Sequence, residues 1–242
     1  MKLRKRLAIV AALAMALPAR PQEQPSQPGS QNAQSLDPAV TQKMAQGVLE
    51  SMSAEHMHMN AHMKWTEARP QSAEDFRRAE EIVKVLRESI EKYKDYQAAL
   101  ADGFKIFLPH IPQPMYHFTN YRYGLEAETK FDPARPTSLL YKKTPDGYEL
   151  IGAMYTATRF TTEDDLDKRV PLSVARWHAH VNICLPPRGQ GQTPDLTRYG
   201  PTGSISTEDD CTAAGGRFLG QIFGWMVHIY PFEQTPEKVF AH

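Results

Sequence analysis

The residues best suited to chemistry in this 242-residue chain are its nine histidines, and three of them occupy two similar apolar segments. In Trp177-His-Ala-His-Val-Asn-Ile-Cys184, strand alternation places His178 and His180 on the face opposite the tryptophan. In Gly224-Trp-Met-Val-His-Ile-Tyr230, the same alternation places His228 opposite the tryptophan. Imidazole nitrogens are common ligands of copper and zinc. If the two strands are neighbours, the sequence predicts a three-histidine metal site.

A fourth histidine, His117, lies in Met115-Tyr-His-Phe-Thr-Asn-Tyr-Arg-Tyr123, which predicts another strand. On that strand Tyr121 and Tyr123 would share the face of His117. His117 is therefore a candidate fourth metal ligand or a donor behind the ligands. Glu126 and Glu128 follow closely and could orient an imidazole.

These patterns also have a reading without metal. Histidine and tyrosine on one sheet face can form a hydrogen-bonded polar core. A curved sheet could instead bind a small molecule between aromatic side chains, and the candidate walls of such a pocket are Tyr116, Phe118, Tyr121, Tyr123 and Tyr155. A structural envelope protein would show neither a metal site nor a pocket.

Methionine and histidine alternate earlier in the chain, in His56-Met-His-Met59 and again in His62-Met63. Thioether and imidazole together suit copper, since methionine is a soft ligand that selects Cu(I). This stretch favours a metal-storage or chaperone role. The competing interpretation is an amphipathic segment whose methionines pack on the core while its histidines face solvent.

The chain has two cysteines, Cys184 and Cys211. In an oxidising compartment such a pair forms a disulfide. Cys184 could instead supply a thiolate to a metal, and sequence leaves both possibilities open.

The first 19 residues have the pattern of a secretory signal peptide: four basic residues, an apolar run over 7–16, and small residues at 14, 16 and 19. The run is short for a membrane span, although an uncleaved anchor is the alternative. The Pro- and Gln-rich stretch 20–36 predicts a disordered linker. We therefore expect a periplasmic or secreted protein, with one globular domain over 37–242 and no later membrane span.

Removing the leader changes the charge of the chain. The whole sequence has 28 basic and 28 acidic residues, and the leader holds four basic and no acidic ones, so 24 basic and 28 acidic residues remain, a net charge of −4. A general nucleic-acid binder would show a basic excess. The expected partner is a metal ion or a small molecule rather than a nucleic acid.

The order of predicted elements indicates an α+β fold with N-terminal helices on a mostly antiparallel, curved sheet. Two helices are predicted, over 37–51 and 73–101, the second opened by a capping serine at 72. Predicted strands are 115–123, 138–142, 148–156, 173–185 and 222–231, with a hairpin loop over 141–148. A short helix opens at 206–209. Phosphate loops, Gly-x-Ser-x-Gly elbows and His-Glu-x-x-His helices are not present in the sequence, so no reaction is predicted.

Several segments resemble an uncharacterised family of exported bacterial proteins: 112–124, 131–141, Arg176-Trp-His-Ala-His-Val-Asn182 and 223–232. The resemblance covers residues 72–233. It implies an ordered exported domain, and since the family has no established activity it assigns no catalytic residues.

Overall fold

The structure is a computed structural model that describes residues 61–110, 113–187, 195 and 197–241. All of these belong to the compact unit Leu36–His242. The predicted leader, linker and first helix, and residues 56–60 of the Met/His stretch, lie outside the described residues. Within the described ranges, no helix combines the length and the apolar character needed to cross a membrane.

The described chain contains six helices and seven strands. In chain order they are β1 (Met63–Trp65), α1 (Ala73–Ile90), α2 (Tyr96–Ala101), β2 (Lys105–Ile106), β3 (Tyr116–Thr119), α3 (Tyr121–Ala127), β4 (Ser138–Thr144), β5 (Gly147–Ala157), α4 (Glu163–Arg169), β6 (His178–Leu185), α5 (Glu208–Ala213), β7 (Arg217–Ile229) and α6 (Pro236–Val239). A 3₁₀ turn, Glu91–Lys94, joins α1 to α2.

The strands form one antiparallel sheet in the order β1-β6-β7-β5-β4-β3-β2. The sheet is moderately curled and does not close. β6 and β7, which carry His178, His180 and His228, are direct neighbours and lie second and third in this order. The predicted α+β class is confirmed, and so is the β4–β5 hairpin, whose strands pair up to Thr144 and Gly147.

One face of the sheet carries the main apolar core. The buried α1 residues Ile82, Leu86 and Ile90 belong to the same core cluster as two tryptophans, Trp177 directly before β6 and Trp225 of β7. Ala179, Val227 and Ile229 alternate with the histidines and join this cluster, as the strand pattern predicts. The histidines consequently lie on the other face of the sheet.

Two predicted elements differ from the structure. The single helix over 73–101 ends at Ile90, and a new helix starts after Asp95, whose side chain accepts a hydrogen bond from the Gln97 amide. The strand predicted over 115–123 stops at Thr119, because Asn120 caps a helix by accepting a hydrogen bond from the Tyr123 amide. Tyr121 and Tyr123 are therefore helical.

Cys184 and Cys211 are joined by a disulfide, with Cα atoms 5.6 Å apart. Both residues are fully buried, in a small cluster with Tyr199 and Ile205. The bond ties the end of β6 to α5, and it excludes Cys184 as a thiolate ligand in this structure. The predicted disulfide is confirmed.

We expect the Cys184→Ala/Cys211→Ala double variant to have a free energy of unfolding about 2–4 kcal/mol below that of the parent, because the crosslink restricts the unfolded chain. Urea unfolding monitored by circular dichroism measures the difference. Dithiothreitol should lower the free energy of unfolding of the parent by a similar amount and leave that of the double variant unchanged. Equal stability of parent and variant under oxidising conditions would show that the crosslink contributes nothing.

Candidate functional site

The structure brings all four predicted histidines together on the sheet face opposite the helix-packed core. The ring centres of His178 and His228 are 5.3 Å apart, and those of His178 and His180 are 5.8 Å apart. His117 lies 5.8 Å from His228, measured between ring centres. His178 and His228 are buried, whereas His117 and His180 are half-buried.

The pairing of the strands sets a methionine opposite each of the three histidines of β6 and β7. Met63 of β1 pairs with His180 of β6, His178 of β6 pairs with Met226 of β7, and His228 of β7 pairs with Met154 of β5. Directly opposed residues of antiparallel strands project to the same face, with Cβ atoms about 4.5–5.5 Å apart. Imidazole and thioether groups therefore alternate across four adjacent strands.

His117 reaches this group because the sheet curls. On a flat sheet, β3 and β7 would be separated by three strand spacings, or roughly 14 Å. The row that contains His117 continues through Leu140 to Gly152, which has no side chain. A Cβ on Gly152 would collide with the Ile229 carbonyl and the Tyr230 ring, so glycine allows β5 and the end of β7 to approach closely.

The four histidines line a cavity of about 380 Å³. Most of its wall is apolar, and the lining residues are Met63, Phe107, Leu108, Gln113, His117, Thr119, Tyr121, Thr137, Ser138, Met154, Thr156, His178, His180, Pro201, Ile222, Phe223, Met226 and His228. None of these is an aspartate, glutamate, lysine or arginine. Across the described residues, the cavity thus has imidazoles as its main titratable groups.

A bulge in β7 shapes the mouth of the cavity. His178 pairs with Met226 but His180 pairs with Ile222, so β7 has two more residues than β6 between these pairs. Phe223, inside the bulge, has a φ of 62°, a left-handed conformation that is uncommon for a bulky residue. Gly224 follows because a Cβ there would collide with the Ala157 carbonyl oxygen. The bulge turns Phe223 outward to the rim.

Burial and mutual repulsion keep two of the imidazoles neutral. Burial lowers the pKa of His117 from 6.5 to about 4, and the charge of His180 acts in the same direction. Burial likewise lowers the pKa of His180 from 6.5 to about 4, with a smaller contribution from the charge of His62. Neutral imidazole is the form that ligates metals.

His62 has a structural position beside this site. Its Nδ1 lies 2.9 Å from the Asn182 carbonyl oxygen, and its Nε2 lies 2.7 Å from the Gly203 carbonyl oxygen. The Asn182 side-chain amide donates to the Ala61 carbonyl, at 2.8 Å. These contacts hold the start of β1 on β6, so that Met63, the next residue, lines the cavity.

Other predicted site residues are placed elsewhere. Tyr116, Phe118 and Tyr155 belong to the main core, and of the five predicted aromatic walls only Tyr121 lines the cavity. Glu126 forms ion pairs with Arg122 and Arg135 instead of orienting an imidazole. Most of the actual apolar walls come from residues that sequence patterns did not single out: Phe107, Leu108, Ile222, Phe223 and Met154.

As it stands, the described part of the chain contains no group of three or more histidine, cysteine or carboxylate side chains arranged to hold a metal ion. The imidazole centres are close, but the nitrogen atoms do not meet at one point. The χ2 torsion of histidine is broad, so the direction of each nitrogen can change at small cost while the ring stays in place. The three-histidine site stays a prediction.

Comparison of the chain with protein-family models, with curated proteins and with solved structures found no match. The resemblance to an exported bacterial family therefore also stays a prediction.

The lowered pKa values predict how stability depends on pH. In the unfolded chain His117 and His180 regain pKa values near 6.5, so between pH 6.5 and 4 the unfolded state binds more protons than the folded state. The free energy of unfolding should be highest above pH 6.5 and fall as the pH drops through this window. Between pH 6.5 and about pH 5, each of the two histidines should lower the free energy of unfolding by up to about 2 kcal/mol.

Urea unfolding at several pH values, with a chelator present, measures this dependence. His117→Gln and His180→Gln should each flatten the pH profile. The exposed His110 provides the matched control, since His110→Gln should keep the slope of the parent. If both cavity variants kept the parent's dependence of unfolding free energy on pH, the assignment of that dependence to His117 and His180 would be wrong.

Proposed function

We propose that this protein binds a transition metal ion, copper or zinc, through His178, His180 and His228, with His117 as a fourth ligand or an outer hydrogen-bonding partner. The observation that carries the proposal is that four imidazoles line a single cavity, with ring centres of neighbouring pairs 5.3 to 5.8 Å apart. Neutral imidazole is a preferred donor for both metals.

The spacing of the rings supports this proposal. A metal lies about 2.0–2.1 Å from an imidazole nitrogen and so roughly 3 Å from the ring centre, which places two ligand rings about 5 Å apart in a tetrahedral site. The ring centre of His178 lies 5.3 Å from that of His228 and 5.8 Å from that of His180. Metal binding would in addition require the rings to turn about χ2 so that their nitrogens face one ion.

The three methionines favour copper over zinc. Met63, Met154 and Met226 line the same cavity and oppose the three histidines across the strands. Thioether sulfur is a soft donor that suits Cu(I), whereas zinc sites use imidazole, thiolate and carboxylate. Thiolate and carboxylate groups do not occur among the described lining residues.

The proposed location is the periplasm or the exterior of the cell. The Cys184–Cys211 disulfide supports it, since disulfides persist in oxidising compartments and are rare in the cytosol. The predicted leader supports the same location from sequence.

A metal-free module that binds a small molecule is the second candidate function. The cavity favours it, because a concave and mainly apolar chamber with a few polar groups is typical of small-molecule sites. In that case the imidazoles would act as hydrogen-bonding groups and not as ligands.

We expect the parent protein, purified without chelator and dialysed against copper or zinc, to retain close to one ion per chain. Elemental analysis measures the content. The His178→Ala/His180→Ala variant should lose the ion. Loss of an outer hydrogen-bonding partner alone lowers metal affinity at least about tenfold, so loss of two ligands should lower it by more than that. The His110→Ala variant, changed at an exposed histidine, should bind like the parent.

Folding of the variants is checked by near-ultraviolet circular dichroism. If the double alanine variant does not fold, His228→Gln tests the same site with a side chain of similar size. A parent that takes up neither metal, or a folded variant that binds as the parent does, would contradict the proposal.

Replacing the opposed methionines separates copper from zinc. Met154→Leu/Met226→Leu conserves volume, so the fold should persist. We expect the affinity for Cu(I), measured by competition with a bathocuproine chelator, to fall at least about tenfold, while zinc affinity changes by less than a factor of about two. Met115→Leu is the control, because Met115 packs against the cluster that contains Met154 and Met226 but does not line the cavity. Equal losses for both metals would argue against thioether coordination.

A further inference from the structure

The mouth of the cavity concentrates exposed apolar surface. Six large hydrophobic residues are exposed among the described residues, and three of them line this one cavity: Leu108 at 41%, Tyr121 at 61% and Phe223 at 61% exposure. Phe107 packs against Phe223 with ring centres 6.2 Å apart. Exposed apolar side chains gathered at one opening mark binding sites, whereas scattered ones need no explanation.

The backbone at this mouth is strained. Leu108 has a φ of 49° and Phe223 a φ of 62°, and both are bulky residues that rarely adopt left-handed conformations. The third such residue in the described chain is Asn182, a type that tolerates this region well. Strain of this kind gathers at ligand sites, where folding must compensate for it. Here both strained bulky side chains belong to the rim of one cavity.

The described protein lining offers no ion-pair partner to a charged organic molecule. With no Asp, Glu, Lys or Arg among the described lining residues, a charged group in the cavity would lose hydration without gaining an ion-pair partner.

The wall beside the histidines offers hydroxyl groups that already bond to one another. The Thr119 and Ser138 hydroxyls are 2.8 Å apart, and so are those of Thr137 and Thr156. Within each pair one hydroxyl donates and the other accepts, so both oxygens already have a partner and one O–H donor per pair is left for another acceptor. The other polar side chains of the lining are the four imidazoles, the Gln113 amide and the Tyr121 hydroxyl.

We infer that the cavity binds an uncharged, largely apolar organic molecule, which passes between Leu108, Tyr121 and Phe223 and directs a single polar atom towards the histidines. The volume of about 380 Å³ is at the small end of the roughly 300–1,000 Å³ found for ligand sites, so the molecule has the size of one or two aromatic rings. The inference deepens the proposed function, on which it rests for the metal that would meet the polar atom.

Calorimetric titration with 2-naphthol tests the inference, with 2-naphthoate as the probe of equal ring size that carries a negative charge. We expect one 2-naphthol site per chain in the full-length protein, with or without copper. In the metal-free protein, where no cation can pair with the carboxylate, 2-naphthoate should bind at least about tenfold more weakly than 2-naphthol. The Leu108→Ala/Phe223→Ala variant should weaken 2-naphthol binding at least about tenfold, because it removes two apolar walls. Leu125→Ala/Phe160→Ala, changed at two exposed hydrophobic residues that do not line the cavity, should bind like the parent.

The same titrations in the His178→Ala/His180→Ala variant separate the two proposals. Naphthalene, which has no polar atom, should bind parent and histidine variant alike, whereas 2-naphthol should lose its advantage over naphthalene in the variant. Copper uptake without naphthol binding would overturn this inference and leave the metal site intact. Naphthol binding at the rim without any metal uptake would overturn the proposed function and leave the apolar ligand site. Equal binding of 2-naphthol and 2-naphthoate to the metal-free protein, or unchanged binding in the rim variant, would overturn the inference.

Discussion

Burial of two tryptophans decides which side of the sheet carries the histidines. Trp177 and Trp225 both lie in the core that includes α1, and each is followed by a residue that faces the cavity, His178 and Met226. Because side chains alternate along a strand, a slip of one residue would expose the indoles and bury the imidazoles in an apolar core. The free-energy cost of that exchange fixes the register of the strands, and the register in turn holds the histidines on the cavity face.

The β7 bulge is the one departure from this alternation that the cavity requires. Three residues of β7, Phe223 to Trp225, lie there opposite the single residue Ala179 of β6, two more than regular pairing would have. β7 supplies Phe223 within the bulge and His228 after it, and both side chains line the cavity. Gly224 is needed in the bulge because the Ala157 carbonyl oxygen lies too close for any side chain.

Local sequence patterns predicted the faces of β6 and β7 but not what lies opposite each histidine. Period-two alternation is readable over a few residues, so the shared face of His178, His180 and His228 followed from sequence. The methionines opposite them depend on strand register, a non-local property that spacing does not encode. For the same reason the cavity walls at Leu108 and Phe223 were missed. The strand error after Thr119 is different, since a capping Asn120 was available to be read as a helix start.

The absence of carboxylates from the described lining bears on the charge of the ion that the site would favour. Four imidazoles and three thioethers are all neutral donors, so an ion bound there would keep its full charge inside a mainly apolar chamber. The cost of moving an ion from water into such surroundings grows with the square of its charge, which makes a monovalent ion about four times less costly than a divalent ion of equal size. Zinc would need an anionic partner to offset that cost, and the described wall offers none. Cu(I), with a single charge and a preference for sulfur and imidazole, meets both conditions.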